Sequence, residues 1–150
     1  MRIVADTHVL ISGTSNKDGY PGNIVIAWRK RQLEVAISPP ILIEIQRVLT
    51  YSFVTDTLHW TDESKRQFLE TLKKRTVYVT HVSPATVSND KKDNMWFACA
   101  KAAGAAYIVS KDDHLLEVGE FDGIKVVKPG YFVEQVLKKR KSGADLPEKR

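Results

Sequence analysis

Cysteine is nearly absent from the sequence, which has one, Cys99, in 150 residues. A single thiol excludes an intramolecular disulfide and a cysteine-based metal cluster. Cys99 lies in the apolar run 96–100, so we interpret it as a buried structural thiol rather than a nucleophile. A chain without disulfides also fits a reducing compartment.

Long hydrophobic runs are missing as well. No apolar stretch approaches the roughly 20 residues that a membrane span needs. Asp6 and His8 interrupt the only candidate for a cleavable signal, which lies at the N-terminus. We therefore expect a cytoplasmic protein that does not associate with a membrane.

The glycine pattern of a phosphate-binding loop is also missing after the first apolar segment. Many nucleotide-binding α/β domains have such a loop between their first strand and first helix. A phosphatase-like or nucleotide-binding domain is therefore disfavoured.

The net charge is +5, and it is unevenly distributed. Residues 138–150 contain six basic and two acidic residues, so this segment carries +4 and the rest of the chain is nearly neutral. We expect residues 1–137 to form one folded domain and residues 138–150 to be a basic, disordered tail. The tail either contacts nucleic-acid phosphates or is simply solvated.

Short apolar segments alternate with helical patterns along the chain. Residues 2–10 contain the first strand, and the polar, glycine-rich residues 12–23 are typical of a surface loop. Four later segments have the composition of strands, at residues 33–38, 77–80, 105–109 and 123–127. This alternation predicts an α/β fold with a central parallel sheet of about five strands and helices on both faces.

Four acidic residues are predicted to reach the edge of the sheet where the parallel strands end. Asp6 and Asp112 close apolar strands, Glu44 lies about one turn into a helix, and Asp93 lies near a helix start. Ligands of open α/β sheets bind at this edge. Helix capping or solvation would explain any one of these acids. We favour a functional role for Asp6 and Asp112, and for the other two because they would lie near that pair.

Carboxylates held a few ångströms apart repel one another strongly. A hard divalent cation removes this repulsion. Because the pattern offers oxygen ligands without cysteine or clustered histidine, it indicates Mg²⁺ or Mn²⁺ rather than Zn²⁺. Such sites typically catalyse phosphoryl transfer with a metal-activated water.

The segments around these acids resemble the successive motifs of the PIN domain family. They are Asp6-Thr7-His8-Val9-Leu10 with Ser12, Ser38-Pro39-Pro40-Ile41-Leu42-Ile43-Glu44, Asn89-Asp90-Lys91-Lys92-Asp93-Asn94, and Ser110-Lys111-Asp112 with Leu115-Leu116. Four motifs in order are more specific than any one of them. The similarity covers about residues 1–137, and within the family the chain resembles the VapC-related toxins of toxin–antitoxin systems.

The resemblance implies a three-layer α/β/α fold, a Mg²⁺- or Mn²⁺-dependent ribonuclease activity on RNA, and inhibition by an antitoxin protein. The family's acidic catalytic and metal-binding residues are matched, by position, by Asp6, Glu44, Asp93 and Asp112. Supporting polar positions are matched by Ser12, Ser110 and Asn94. Small toxins of this kind form homodimers, and we expect a homodimer here.

The chain departs from the family pattern at three positions. His8 stands where Asn is usual, Lys92 replaces an acid, and Lys111 stands where Gly is common. We interpret His8 as a structural residue rather than a ligand. Lys91, Lys92 and Lys111 either contact substrate phosphate or are solvated. The leading hypothesis is a metal-dependent endoribonuclease, and the alternative is a weakly active or inactive PIN-like module that binds RNA or an antitoxin.

Overall fold

The computed structural model describes residues 1–83 and 91–140, and of Lys91 it describes the backbone alone. The predicted sheet is present, but the prediction of about five strands was wrong, because the described residues form a sheet of six. The strands are β1 (Arg2–Ala5), β2 (Glu34–Ile37), β3 (Thr76–Tyr78), β4 (Tyr107–Val109), β5 (Glu120–Phe121) and β6 (Ile124–Val127). The strand that the sequence did not reveal is β5, which is too short to show alternation.

The strand order is β3-β2-β1-β4-β6-β5, and every pairing is parallel except the β5–β6 hairpin. β1 lies between β2 and β4, and its residues Ile3, Val4 and Ala5 are buried. Such an apolar run is typical of a parallel strand covered on both faces. The parallel strands end at one edge of the sheet, which we call the carboxyl edge, and begin at the other, the amino edge.

Helices flank the sheet, as the α/β prediction requires. They are α1 (Thr7–Ser15), α2 (Tyr20–Arg29), α3 (Pro39–Val48), α4 (Asp62–Arg75), α5 (Lys91–Ala103), α6 (Asp113–Val118) and α7 (Pro129–Tyr131), with π-helical stretches at Phe53–Thr57 and Phe132–Leu137. α2 packs against α1 and α7, whereas α5 packs against α3 and against β1, β2 and β4. The fold is therefore a three-layer α/β/α arrangement.

The prediction of a surface loop at residues 12–23 was wrong. α1 and α2 occupy most of this segment, and the glycines Gly13 and Gly22 serve helix packing instead of a turn. A Cβ atom on Gly13 would lie 2.3 Å from the carbonyl oxygen of Pro21, and one on Gly22 would lie 2.4 Å from that of Asn16. Only glycine permits this close contact between the two helices.

The C-terminal part of the described chain is helical. Residues 138–140 continue the π-helical stretch as helix, so the basic segment begins inside an ordered element. The remainder of the predicted tail, residues 141–150, lies outside the described residues. No helix in the described part of the chain is long and apolar enough to cross a membrane. The predicted burial of Cys99 is confirmed.

Candidate active site

Asp6 lies between the ends of the two central strands. Its backbone N–H donates to the carbonyl oxygen of Val109 (3.0 Å), which places it beside β4. As the N-cap of α1, its Oδ1 accepts a hydrogen bond from the Val9 backbone N–H (2.9 Å). The residue is only 6% exposed. Asp6 is thus a buried carboxylate that the helix start holds in one orientation.

Ser110 connects Asp6 with Asp112. Its buried hydroxyl donates to Oδ2 of Asp6 and accepts a hydrogen bond from the Asp112 backbone N–H (2.9 Å). Asp112 is the N-cap of α6 and accepts from the His114 backbone N–H (2.8 Å), while its side chain remains exposed. Two of the predicted acids and one supporting serine therefore form one hydrogen-bonded network across β1 and β4.

Buried polar residues are concentrated at the carboxyl edge. In the described part of the chain they are Asp6, Thr7, Ser38, Asp93 and Ser110. Four of them directly follow the ends of β1, β2 and β4, and the other, Asp93, lies in the first turn of α5. Because burying polar groups is unfavourable unless they are satisfied, their clustering at one edge of an apolar core indicates a binding or catalytic site.

The hydroxyl of Thr7 adds an unsatisfied polar group to this edge. Thr7 is 2% exposed, and its Oγ1 has no hydrogen-bond partner within the described residues. An unmade hydrogen bond of this kind costs about 1–3 kcal/mol. Thr7 directly follows Asp6, and a hydrogen bond to a ligand or to a bound water would satisfy its hydroxyl there.

Glu44 is held by an arginine on its own helix. Arg47 Nε donates to Glu44 Oε1 (3.2 Å), and the Nη2 atom makes a second, shorter contact with the same oxygen. Arg47 Nη1 also donates to the hydroxyl of Tyr51 (2.7 Å). The hydrogen bond with Glu44 raises the pKa of Arg47 above its ordinary value. The carboxylate of Glu44 thus has a cationic partner.

The residues at this edge offer the donors that a hard cation requires. Asp6 and Asp93 are buried carboxylates, Asp112 is linked to Asp6, and the Thr7 hydroxyl lacks a partner. Among residues 1–83 and 92–140, however, no group of three or more acidic, histidine or cysteine side chains lies close enough together to hold a metal ion. The donor chemistry fits Mg²⁺ or Mn²⁺, and metal ligation by all four acids remains a prediction.

Comparison with known families shows which family the chain belongs to. The family model of the PIN domain matches residues 2–114, which span all four acids. The chain belongs to the PIN domain family. PIN domains are generally nucleases.

Two solved structures have the same fold as this PIN domain. The crystal structure of PAE2754 from Pyrobaculum aerophilum has a TM-score of 0.55 and 11% identity, and the match covers 92% of this chain and 90% of that one. VapBC2 from Rickettsia felis, bound to a DNA fragment from its promoter, has a TM-score of 0.54 and 16% identity over 85% of this chain and 98% of that one. No curated protein matches the chain significantly.

The other predicted site residues have varied positions in this PIN domain. Ser12 is half-buried in α1, and its hydroxyl makes no hydrogen bond to Asp6 or Ser110 among the described residues. Asn94 is half-buried in α5, Lys92 and Lys111 are exposed, and Lys91 is described by its backbone alone. The motif residues 89–90 lie outside the described residues.

His8 takes part in packing at the rim of the site. Its ring stacks on that of Phe53 with the centroids 5.8 Å apart, which connects α1 with the π-helical stretch after α3. This contact agrees with our interpretation of His8 as a structural residue.

Three residues that sequence reasoning missed belong to this edge. Thr7 lies inside the first motif, directly after Asp6. Arg47 follows Glu44 by three residues, a spacing at which helical side chains meet. Lys128 directly follows β6 and lines a cavity of about 500 Å³ together with Lys111 and Asp113. Its position at a strand end was the available signal.

Proposed function

We propose that the chain is a Mg²⁺- or Mn²⁺-dependent endoribonuclease. The observation that carries the proposal is the network in which Ser110 joins Asp6 to Asp112 at the carboxyl edge of a PIN domain. This network orients the Asp6 carboxylate at the end of β1 and holds the backbone of Asp112 beside it, just after the end of β4. The network lies at the edge of the apolar core where the buried polar residues are found.

The four acids Asp6, Glu44, Asp93 and Asp112 would hold the cation. When bound, the cation lowers the pKa of a water molecule and so supplies the nucleophile for phosphodiester hydrolysis. Asp6 contributes a carboxylate whose orientation is set by the Val9 N–H and the Ser110 hydroxyl. Its burial reduces competition from bulk water, which strengthens every electrostatic contact there.

Lysines beside the acids would position the RNA. Lys111 and Lys128 line one cavity next to Asp113, and Lys92 is exposed on α5 near Asp93. These lysines would offer cations to the phosphates of the RNA backbone. Contacts of this kind supply affinity and register without reading the base sequence.

We further propose that the chain is the toxin of a type II toxin–antitoxin system in the cytoplasm. VapBC2, whose fold is similar, is described as a complex bound to DNA of its promoter. On the rim beside Glu44, Ile43 is 65% exposed and Tyr51 is 38% exposed. These apolar side chains offer contact area to an antitoxin or to a second copy in a homodimer.

A second candidate is a weakly active or inactive PIN-like module that binds RNA or an antitoxin. The pairing of Glu44 with Arg47 favours it, because the ion pair competes with metal ligation. The replacement of an acid by Lys92 favours it too. This candidate predicts binding of a partner without cleavage.

The nuclease proposal is tested on a panel of structured and single-stranded RNAs incubated with Mn²⁺, Mg²⁺ or a chelator. We expect the wild type to cut in the presence of either metal and to be inactive with the chelator. Asp6→Asn, purified in the same way, should lose the activity while keeping the far-ultraviolet circular dichroism of the wild type. Cleavage that persists in Asp6→Asn would contradict the mechanism.

A further inference from the structure

Two neighbouring cavities of the molecule share lining residues, and the second of them lies at the amino edge. The first, of about 550 Å³, lies between α4 and the helices α1 and α2, and the second, of about 500 Å³, lies beside Met1, Glu34 and Thr76 at the starts of β1, β2 and β3. Both cavities are lined by Lys74 and Arg75. We call their combined surface the amino-edge groove.

The amino-edge groove has a strong positive charge. The cationic residues in its lining are Arg29, Arg31, Lys74, Arg75 and Arg140. Within the described chain none of these five forms an ion pair. The two acids of the lining, Glu34 and Glu70, are paired with arginines outside it, Arg2 and Arg66. The positive charge of the groove is therefore not compensated within the described residues.

Hydrogen bonds hold these like charges together. Trp28 Nε1 donates to the carbonyl oxygen of Arg75 (2.8 Å), and Arg75 Nη1 donates to that of Arg29 (3.0 Å). The two contacts fix the ends of α2 and α4 to each other. The helix dipoles place about half a negative charge at each end, which offsets only part of five positive charges.

Arg31 is held in an unfavourable backbone conformation beside this cluster. Its φ of 61° lies in the left-handed region, which is unfavourable for a residue with a side chain. Glycine or asparagine would be the usual choice for this position after α2. An arginine there adds to the charge of the groove at the expense of backbone strain.

The groove lies at the opposite end of the sheet from the candidate active site. Met1 and Asp6 stand at the two ends of β1, about 16 Å apart for an extended strand. Four of the five groove cations lie within residues 1–137, whose total charge is nearly neutral. The cations of the amino edge attract the phosphates of RNA.

We propose that the amino-edge groove binds the phosphate backbone of single-stranded RNA as a second site, apart from the candidate active site. The large aromatic side chains of the groove, Trp28, Trp60 and Phe68, are each more than nine-tenths buried. They offer no ring for base stacking and no apolar anchor for a protein partner. Binding is therefore electrostatic and independent of sequence. It rests on the proposed function only in taking RNA as the ligand.

The test measures the fluorescence anisotropy of a fluorescein-labelled 20-nucleotide oligouridylate with the full chain in the presence of a chelator, so that cleavage plays no part. The variant Arg31→Gln/Lys74→Gln removes two charges from the groove. The control Lys101→Gln/Lys125→Gln removes two exposed charges elsewhere. Thermal melts followed by circular dichroism establish that both variants are folded.

We expect the groove variant to bind about tenfold more weakly than the wild type, and the control to bind within twofold of it. The slope of log K against log salt should fall by about 1.4 in the groove variant, the value for two phosphate contacts on a single strand. Equal losses in the two variants would overturn the proposal. The proposal would also be overturned if polyglutamate competed for the groove as well as unlabelled RNA does, since this result would indicate an acidic protein partner. If the chain binds RNA at the groove but does not cleave RNA, this result contradicts the nuclease proposal and leaves the groove proposal intact.

Discussion

The hydroxyl of Ser110 donates a hydrogen bond to Oδ2 of Asp6, so the end of β4 is connected directly to the end of β1. The same hydroxyl accepts a hydrogen bond from the Asp112 backbone N–H. One small side chain thus orients the Asp6 carboxylate and holds the backbone of Asp112 beside it. Its removal tests both the stability and the activity attributed to this edge.

Ser110→Ala should lower the free energy of unfolding by about 1–3 kcal/mol, because a buried carboxylate and a backbone N–H each lose a partner. Urea denaturation measures this change. Ser52→Ala is the matched control, since Ser52 is exposed and makes no side-chain cap hydrogen bond. Equal stability of the two variants would show that the Ser110 hydroxyl contributes nothing to the network.

Thr7→Val should leave the protein as stable as the wild type, or up to about 2 kcal/mol more stable, because it removes a buried hydroxyl that has no described partner. The same variant should lose cleavage activity if that hydroxyl contacts a ligand. Thr7→Ser keeps the hydroxyl and should show the reverse, with activity retained and stability lowered by about 1 kcal/mol. A destabilised Thr7→Val would mean that the hydroxyl is already satisfied.

Arg47→Gln should lower the Mn²⁺ concentration for half-maximal cleavage by up to about fivefold, because it frees Glu44 from an exposed ion pair, and exposed pairs contribute little. Arg66→Gln is the control, since Arg66 makes similar pairs with Glu63 and Glu70 on α4. If both variants respond alike, the pairing of Glu44 does not govern metal binding.

The single thiol should react slowly. Burial raises the pKa of Cys99 to about 11, despite an opposing hydrogen bond with Ser38. At pH 8 the native thiol should therefore react with Ellman's reagent about 100-fold more slowly than the unfolded chain. Equal rates in native buffer and in urea would contradict this expectation.

The raised pKa of Cys99 also predicts a pH dependence of stability. The native thiol keeps its proton at a pH where the unfolded thiol, with an ordinary value of 9.0, loses it. The free energy of unfolding should therefore decrease as the pH rises from about 9 to about 11. Cys99→Ala should show a smaller decrease over the same range.

The acids at the strand ends were predictable because their positions follow from local sequence. A carboxylate that follows an apolar strand, as those of Asp6 and Asp112 do, is expected at the carboxyl end of that strand. α1 was not predictable in the same way. Glycine and small polar residues are typical of loops, and only the close packing of Gly13 against Pro21 explains why the segment is helical.

Sequence patterns predict local contacts but not contacts between distant segments. The pairing of Glu44 with Arg47 is local and follows from helical spacing, so it could have been predicted. The amino-edge groove could not be, because it needs the C-terminal turns of α2 and α4 to meet through Trp28 and Arg75. A net charge near zero over residues 1–137 gave no sign of a cluster of cations at the amino edge.

Mn²⁺ binding followed by electron paramagnetic resonance tests the central claim most directly, because it needs no knowledge of the RNA target. The variant is Asp6→Asn, and the control is Asp122→Asn, whose aspartate lies in the β5–β6 turn away from the carboxyl edge. We predict that the wild type and the control bind Mn²⁺ equally, and that Asp6→Asn binds at least about tenfold more weakly, as expected when a metal ligand or its support is lost. Equal binding by Asp6→Asn and the wild type, or no binding by any of the three, would contradict the account.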